Sequence, residues 1–513
     1  MTTISSGSLP MVIAPQTPSP ALSRVRMANQ PVDPPQPSTT VTLGGKQEPL
    51  TYTRDSIAEM APSGAIWQRE ANDAISATMA TNGRNSVSSR FNGLADAVLS
   101  RFRTEGGSYS QSLILPSAAT EGVSASALSS QLRGAPGTGV SLRIMTASGT
   151  QVDVKLGASA DGIAVDIGVS EGELSEDERL AIAGLAKSFQ DAVDGLGSVP
   201  PRLAVAGLAK FDSKLLASVS LETAIATRDS GMASISFQAD AAQRSLTIKN
   251  ATGVATVNVD ASQPTVVGSA QQRDAAVASY LQKFDAARSR GEGDQTLMSF
   301  FKEAFSALHQ SYETAAPSPL SLIGKSKDAV PLAHRGALSG MADFSASITQ
   351  GPVASNPYRT GEQDSFSFLA TQRTSISGVQ GLGVNVSQES ETNLVASFHK
   401  PLPGQKELNL TLDPETQNYR YFLIEDVENS KTDLAYDRLG NLSQASRTES
   451  SVLSTRVKTY AKGKLVSDDT LPTVSSQTKN LMSELLAAAS EAQRKGLADS
   501  SKVTKDAKGA KAA

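Results

Sequence analysis

At Val140 the spacing of apolar residues changes from about 3.6 to 2. Val140, Leu142 and Ile144, then Val152, Val154 and Leu156, then Ile163, Val165 and Ile167 each alternate with other residues, and Ser148-Gly149 and Asp161-Gly162 stand between the runs. Successive side chains of a strand point to opposite faces, so each run is a half-buried strand and each Gly dipeptide a turn signal. The expectation is a three-stranded antiparallel meander with one face buried.

The next stretch, LSEDERLAIAGLAKSFQDAVDGLG, is the densest acidic cluster of the chain. Ser175 and Glu178 have the spacing of a capping box, while Glu176 and Asp177 sit where a helix dipole favours negative charge. Ile182, Leu185, Phe189, Val193 and Leu196 then form an apolar stripe at helical spacing. Local structure accounts for every acid of the cluster, and none is needed for catalysis.

The same order recurs downstream. SISFQA, RSLTIKN and ATVNVD alternate, and QQRDAAVASYLQKFDAARSRG follows with Val277, Tyr280 or Leu281, and Phe284 inward. A further helical segment is expected after each unit, over 208–219 and over 296–312, the latter with Phe300, Phe301, Phe305 and Leu308 as core. Residues 136–312 therefore read as one α+β domain of antiparallel three-stranded meanders with packed helices, a possible duplication.

Before it, residues 56–135 read as helical. Trp67, Ala71, Ile75 and Met79 recur every four residues up to Asn82-Gly83, and Val87, Phe91, Leu94, Val98 and Phe102 make a second stripe. Trp67 reads as a packing residue. Nine of the 24 prolines fall in the first 50 residues among Ser, Thr and Gln, so 1–55 is expected to be a disordered arm.

After it, 313–340 reads as a linker and 341–472 as an antiparallel β domain built from FSASIT, FSFLATQ, LGVNVSQ, NLVASFHK, ELNLTL, NYRYFLIED and TDLAYD. A helix is expected over 473–498, with Leu481, Leu485 and Ala489 on one face and Gly496 as stop, then a disordered Ala/Lys tail over 499–513.

Composition narrows the function classes. The 47 basic and 51 acidic residues give a net charge of -4, which offers no field for nucleic acid. There is no cysteine, hence no disulfide, thiolate nucleophile or cysteine-bound metal. No run approaches the ~18 apolar residues of a spanning helix, and the amino terminus has no positive charge before Arg24. The expectation is a cytoplasmic protein, or one exported without a cleaved leader.

Motifs for chemistry are few. His309, His334 and His399 lack paired metal-ligand spacing, and His399 beside Lys400 reads as a rim residue. IGKSK, 323–327, ends like a phosphate loop, but its first glycine would fall at Pro319, which has no N–H to offer. DVENSKTD, 426–433, spaces its oxygens like a calcium loop, but Lys431 stands where that loop needs glycine. Neither a cofactor nor a metal is expected.

The hairpin from Leu142 to Leu156, the helix LSEDERLAIAGLAKSFQDAVDGL and the stretch YLQKFDAARSRGEGD resemble a family of uncharacterised proteins of pseudomonads and related bacteria, some of which carry the name lactate dehydrogenase. That name implies a nicotinamide cofactor seated on a strand, a glycine turn and a helix N-terminus. The nearest match, GLGVNV from Gly381, lacks the third glycine and continues with period 2 through Leu382, Val384 and Val386. It reads as a strand, so no catalytic residue follows from the resemblance.

Three function classes remain. The first is a non-enzymatic interaction or structural protein, a class that includes exported and surface-associated proteins, with an unknown protein or small-molecule partner. The second is a ligand-binding module using the C-terminal sheet, which requires an exposed row of Phe366, Phe368, Leu394, Phe398 and Tyr421. The third is a hydrolase assembled from dispersed carboxylates, with Asp364, Glu425, Asp426 and Asp433 as candidates.

Overall fold

Alternating segments that bury one face must pair, and here the described strands pair into a single antiparallel sheet of 15 strands. The computed structural model describes residues 57–115, 122–134, 139–198, 201–227, 231–263, 266–312, 330–379, 382–491 and 494. The arm, the linker up to 329, IGKSK and the tail lie outside the described residues. In chain order the strands are β1 (Ile66–Trp67), β2 (Tyr109–Ile114), β3 (Gly139–Thr146), β4 (Gln151–Ser159), β5 (Gly162–Ser170), β6 (Leu216–Thr227), β7 (Gly231–Asp240), β8 (Gln243–Lys249), β9 (Gly253–Asp260), β10 (Asp343–Val353), β11 (Asp364–Val379), β12 (Gly383–Pro401), β13 (Tyr419–Tyr436), β14 (Leu442–Ala461) and β15 (Lys464–Asn480). The sheet order is β1-β2-β5-β4-β3-β6, and from β6 it follows the sequence to β15.

The helices are α1 (Ile57–Met60), α2 (Ala74–Asn82), α3 (Leu94–Ser100), α4 (Ala125–Gly134), α5 (Glu176–Gly184), α6 (Ala186–Gly197), α7 (Ala270–Gly291), α8 (Gln295–His309) and α9 (482–491). Ser175 caps α5 as expected: its Oγ accepts the Glu178 N–H at 3.3 Å, and Glu178 Oε2 accepts the Ser175 N–H at 2.9 Å. Burial pushes the Glu178 carboxyl up, but hydrogen bonds from Ser148, Ser175 and Thr146 outweigh it and hold the pKa at about 2. Helix α8 packs on β8, β9 and β10, and α7 reaches β12. Phe300, Phe301, Phe305 and Leu308 are buried in this core, where Phe284 meets Phe301 at 4.8 Å and Phe368 at 5.6 Å.

Several elements differ from their sequence pattern. Trp67 lies in β1, and α2 starts only at Ala74, where Asp73 accepts the Ser76 N–H at 2.7 Å. The segment expected to be wholly helical also contributes β2. The helix expected over 208–219 is a 3-10 turn over Ala206–Ala209 followed by β6, because Val219 and Leu221 alternate into the core opposite Ile144 and Leu142. LGVNVSQ and NLVASFHK are one strand, β12, and NYRYFLIED and TDLAYD are one strand, β13. ELNLTL, 407–412, forms no strand. The strand β15 runs on to Asn480 through residues expected to be helical, and α9 starts only after it.

The described end of the expected linker is packed rather than open. Val330, Ala337 and Leu338 are buried, as are Met341 and Ala342 directly after it. Side-chain amides hold their backbone: Gln272 donates to the carbonyls of Arg335 and Leu338 at 2.8 Å each, and Gln372 to those of Met341 and Ala342 at 3.2 and 3.3 Å. The chain then enters β10, which pairs with β9 from Asp343 opposite Asp260 to Gln350 opposite Gly253. The C-terminal meander thus continues the same sheet.

Candidate functional site

Of the residues singled out in the sequence, His399 has the most concentrated chemistry. The start of β11, the end of β12, the start of β13 and the turn between β14 and β15 meet at one end of the sheet. Cross-strand pairing sets His399 opposite Tyr421, Pro401 opposite Tyr419 and Tyr419 opposite Tyr460. The His399 ring lies 4.7 Å from that of Tyr421 and 5.1 Å from that of Tyr419, which stacks on Tyr460 at 4.8 Å.

Two carboxylates from the segment leading into β11 close over this cluster. Asp364 Oδ1 lies 2.6 Å from His399 Nδ1 and accepts the His399 backbone N–H at 3.0 Å, and Asp364 Oδ2 accepts the Ser355 hydroxyl at 2.6 Å. Glu362 accepts the Tyr419 and Tyr460 hydroxyls at 2.6 and 2.7 Å. His399 Nε2 lies 3.6 Å from Glu362, within charge contact but too far for a hydrogen bond. The cluster also grips the β14–β15 turn. Arg359 donates to the Gly463 carbonyl at 2.8 Å and lies over the Tyr460 ring, and the Lys462 N–H donates to Asn418 at 2.9 Å.

Electrostatics fix the charge states. Burial pulls the His399 pKa down, but the Asp364 hydrogen bond and the charges of Asp364 and Glu362 outweigh it, leaving the pKa above its ordinary value. Burial pushes Glu362 up, yet His399, Tyr419 and Tyr460 together hold it at about 2. Asp364 is likewise held low against its burial, by His399 and Ser355. Burial and then Glu362 raise Tyr460 to about 12. A general base needs a free nitrogen within reach of a substrate proton. Both His399 nitrogens face carboxylates, and the side chain has no exposed area. The geometry is that of a clasp holding an imidazolium, and the expectation of a rim residue is corrected: 8% of His399 is exposed.

The other candidates are kept apart. Asp426 is bound by Arg290 Nε and Nη2 and by the Ser454 N–H. Glu425, its neighbour along β13, is exposed, and Asp433 lies 3.8 Å from Lys431. Asp364, Glu425, Asp426 and Asp433 share no partner among the described residues. Glu176 and Asp177 are exposed in the first turn of α5. His309 is fully buried, with Nδ1 2.7 Å from the Tyr312 hydroxyl, and burial pulls its pKa to about 3, so the ring is neutral. His334 stacks on Tyr436. The sequence DVENSKTD lies inside β13, where alternate side chains point to opposite faces and cannot wrap one cation.

Phe366, Phe368, Leu394, Phe398 and Tyr421 are buried, so the row required of an open ligand face is filled by the protein itself. A cleft of about 840 Å3 between α2, α3 and β2 is lined by Arg69, Asp73, Arg101, Glu105 and Tyr109. Each of its cations is already paired, Arg69 with Asp73 at 3.7 Å and Arg101 with Glu105 at 2.5 Å.

What stays open is the far end of the sheet. Strands β11 to β15 are 16 to 20 residues long, and every residue of β15 except Ser467 is exposed. Leu369, Asn393, Val427, Val452 and Val474 lie directly opposite one another across the five strands, so they share one face. Along this row exposure reaches 71% at Val474. The other end of the sheet is the two-residue β1.

No family model matches the chain, and neither a curated protein nor a solved structure matches it.

Proposed function

We propose that this is a non-enzymatic interaction protein that takes up its partner by pairing backbone to backbone along β15. The observation that carries this is the edge itself: 17 residues of strand with nothing on their outer side among the described residues. Such an edge presents a row of N–H and C=O groups ready to extend the sheet, with alternate side chains supplying selectivity. The clasp around His399 supports the reading from the other direction, because it pins the β14–β15 turn and keeps the hairpin extended. The dispersed carboxylates, each bound elsewhere or exposed, give a hydrolase no common point of attack.

A benzophenone amino acid placed at Val474 tests this, with Leu439, 83% exposed in the β13–β14 turn, as control. In the producing cell, position 474 should give one discrete cross-linked species and position 439 none. A folded protein that gives no discrete adduct from position 474 removes the proposal.

A further inference from the structure

We infer that the partner is a second copy of this chain, paired antiparallel through β15 about a two-fold axis centred on Val474. The inference rests on the edge-pairing reading above and names its partner. Two contacts show which backbone groups of β15 face outward. The Leu481 N–H donates to the Ala445 carbonyl at 2.9 Å, and the Ser454 N–H turns away from β15 to reach Asp426 on β13 at 3.1 Å. With Ser454 opposite Pro472 and Ser446 opposite Asn480, alternation makes Thr473, Ser475, Gln477 and Lys479 face β14, while Thr470, Pro472, Val474, Ser476 and Thr478 face out.

Among the described residues the sheet has one long edge and ends on the other side in the two-residue β1, so it pairs with its own copy through β15. Such a contact is isologous and closes as a dimer. A two-fold normal to the sheet makes the pairing antiparallel and keeps each side chain on its own face, so the axis passes midway between the two copies of one residue of β15. The charges select which one. Asp468 and Asp469 lie toward one end of the strand and Lys479 toward the other. An axis at Val474 sets Lys479 opposite Asp469 of the second copy, twice by symmetry, with Thr470 opposite Thr478 and Ser476 opposite Pro472. An axis at Pro472 sets two prolines face to face, both without a donor. At Asp468 it opposes like charges, and at Thr473 it leaves Lys479 facing Ser467.

The axis at Val474 also joins the apolar rows of the two copies, since Val474 ends the row that begins at Leu369. Lys479 lies 2.9 Å from Glu484 in its own chain, but both side chains are more than half exposed, a weak pairing that leaves the ammonium available to Asp469. Helix α9 does not cover the edge: Leu481 and Leu485 turn back to pack with Val386, Leu434 and Ala445.

Sedimentation equilibrium of the purified full chain over a concentration series tests this. Wild type should be a reversible dimer. Lys479→Glu and Asp469→Lys should each weaken it about tenfold, and the two together should restore it to within about threefold, because symmetric charge pairs are exchanged for like charges and then re-formed. Val474→Pro removes a second outward donor without touching the β14 ladder and should abolish dimerisation, with an unchanged circular dichroism spectrum as the check on folding. A monomeric wild type overturns the inference, and so does a dimer indifferent to Val474→Pro or to the charge exchange. If the chain is monomeric while position 474 still cross-links a different protein, the edge reading stands and only the self-pairing falls; if neither association is seen, both fall.

Discussion

Asp364 Oδ1 engages His399 twice, at the ring Nδ1 and at the backbone N–H, 2.6 and 3.0 Å away. One oxygen therefore fixes both the rotamer of the histidine and the end of β12. Because both groups titrate, the strength of this contact depends on pH in a direction that can be worked out.

The raised pKa of His399 gives stabilisation that is fully present below its ordinary pKa of about 6.5 and lost as pH rises through the folded value. The lowered pKa values of Asp364 and Glu362 give stabilisation present above their ordinary values of about 4 and lost as pH falls through the folded values, about 2 for Glu362. The difference in urea midpoint between wild type and His399→Gln should therefore be largest near pH 5 to 6 and shrink at pH 9 and below pH 3. A difference that stays level from pH 5 to 9 would show that the ring is not held as an imidazolium.

Gly291 ends α7 where the helix meets the sheet. A Cβ there would lie 2.8 Å from the Phe366 ring and 2.9 Å from the Ala396 Cβ. Gly291→Ala should destabilise by about 1–3 kcal/mol in spite of its better helix propensity, because the contact is with packed side chains on the sheet. Gly168→Ala, with open space at its Cβ, should be within about 0.5 kcal/mol of wild type. Equal effects in chemical denaturation would mean that α7 sits further from the sheet.

Gln388 accepts the Ser339 N–H at 2.7 Å and donates to Thr374 Oγ1 at 3.0 Å, in a buried site. Gln388→Leu keeps the volume but strands the Ser339 N–H. It should cost about 1–3 kcal/mol. Amide exchange at Ser339 should accelerate more than exchange in β13, and an unaltered Ser339 rate would show that water replaces the bond.

Arg290 supplies two donors to the buried Asp426. Arg290→Ala leaves that carboxylate short of its partner and should lower stability at pH 7 by about 1–2 kcal/mol in chemical denaturation. An unchanged urea midpoint would show that the Ser454 N–H alone satisfies the carboxylate.

The legible parts of the fold were those where one face is buried and the other wet. The alternation of β3 to β5 and β7 to β9, the Ser175 cap and the Phe300–Leu308 stripe all show that contrast. β15 has water on both faces, so its Ser, Thr and Gln carry no period, and the polar stretch SSQTKN before α9 reads equally well as the start of a helix. Trp67 and Ala71 continued the spacing of Ile75 and Met79 by coincidence, and the Asp73 cap was the true signal. His399 gave no local sign of its role because its partners, Glu362 and Asp364, lie more than thirty residues earlier and meet it only through the pairing of β11 with β12. The alternating Glu362 and Asp364 before a strand were the one available hint.

From β7 to β15 every strand lies beside the one synthesised just before it, whereas β2 has to wait for β5 and β3 for β6. A nascent chain can therefore lay down the carboxy-terminal meander strand by strand on an edge already present, the one long excursion being the segment with α7 and α8 between β9 and β10. Pulsed amide labelling during refolding should find protection in β7 and β8 together with that in β6, and protection in β2 later. Out-of-order pairing confines the slow part of assembly to the amino-terminal third, and among the described residues β15 is the last strand laid on the growing edge.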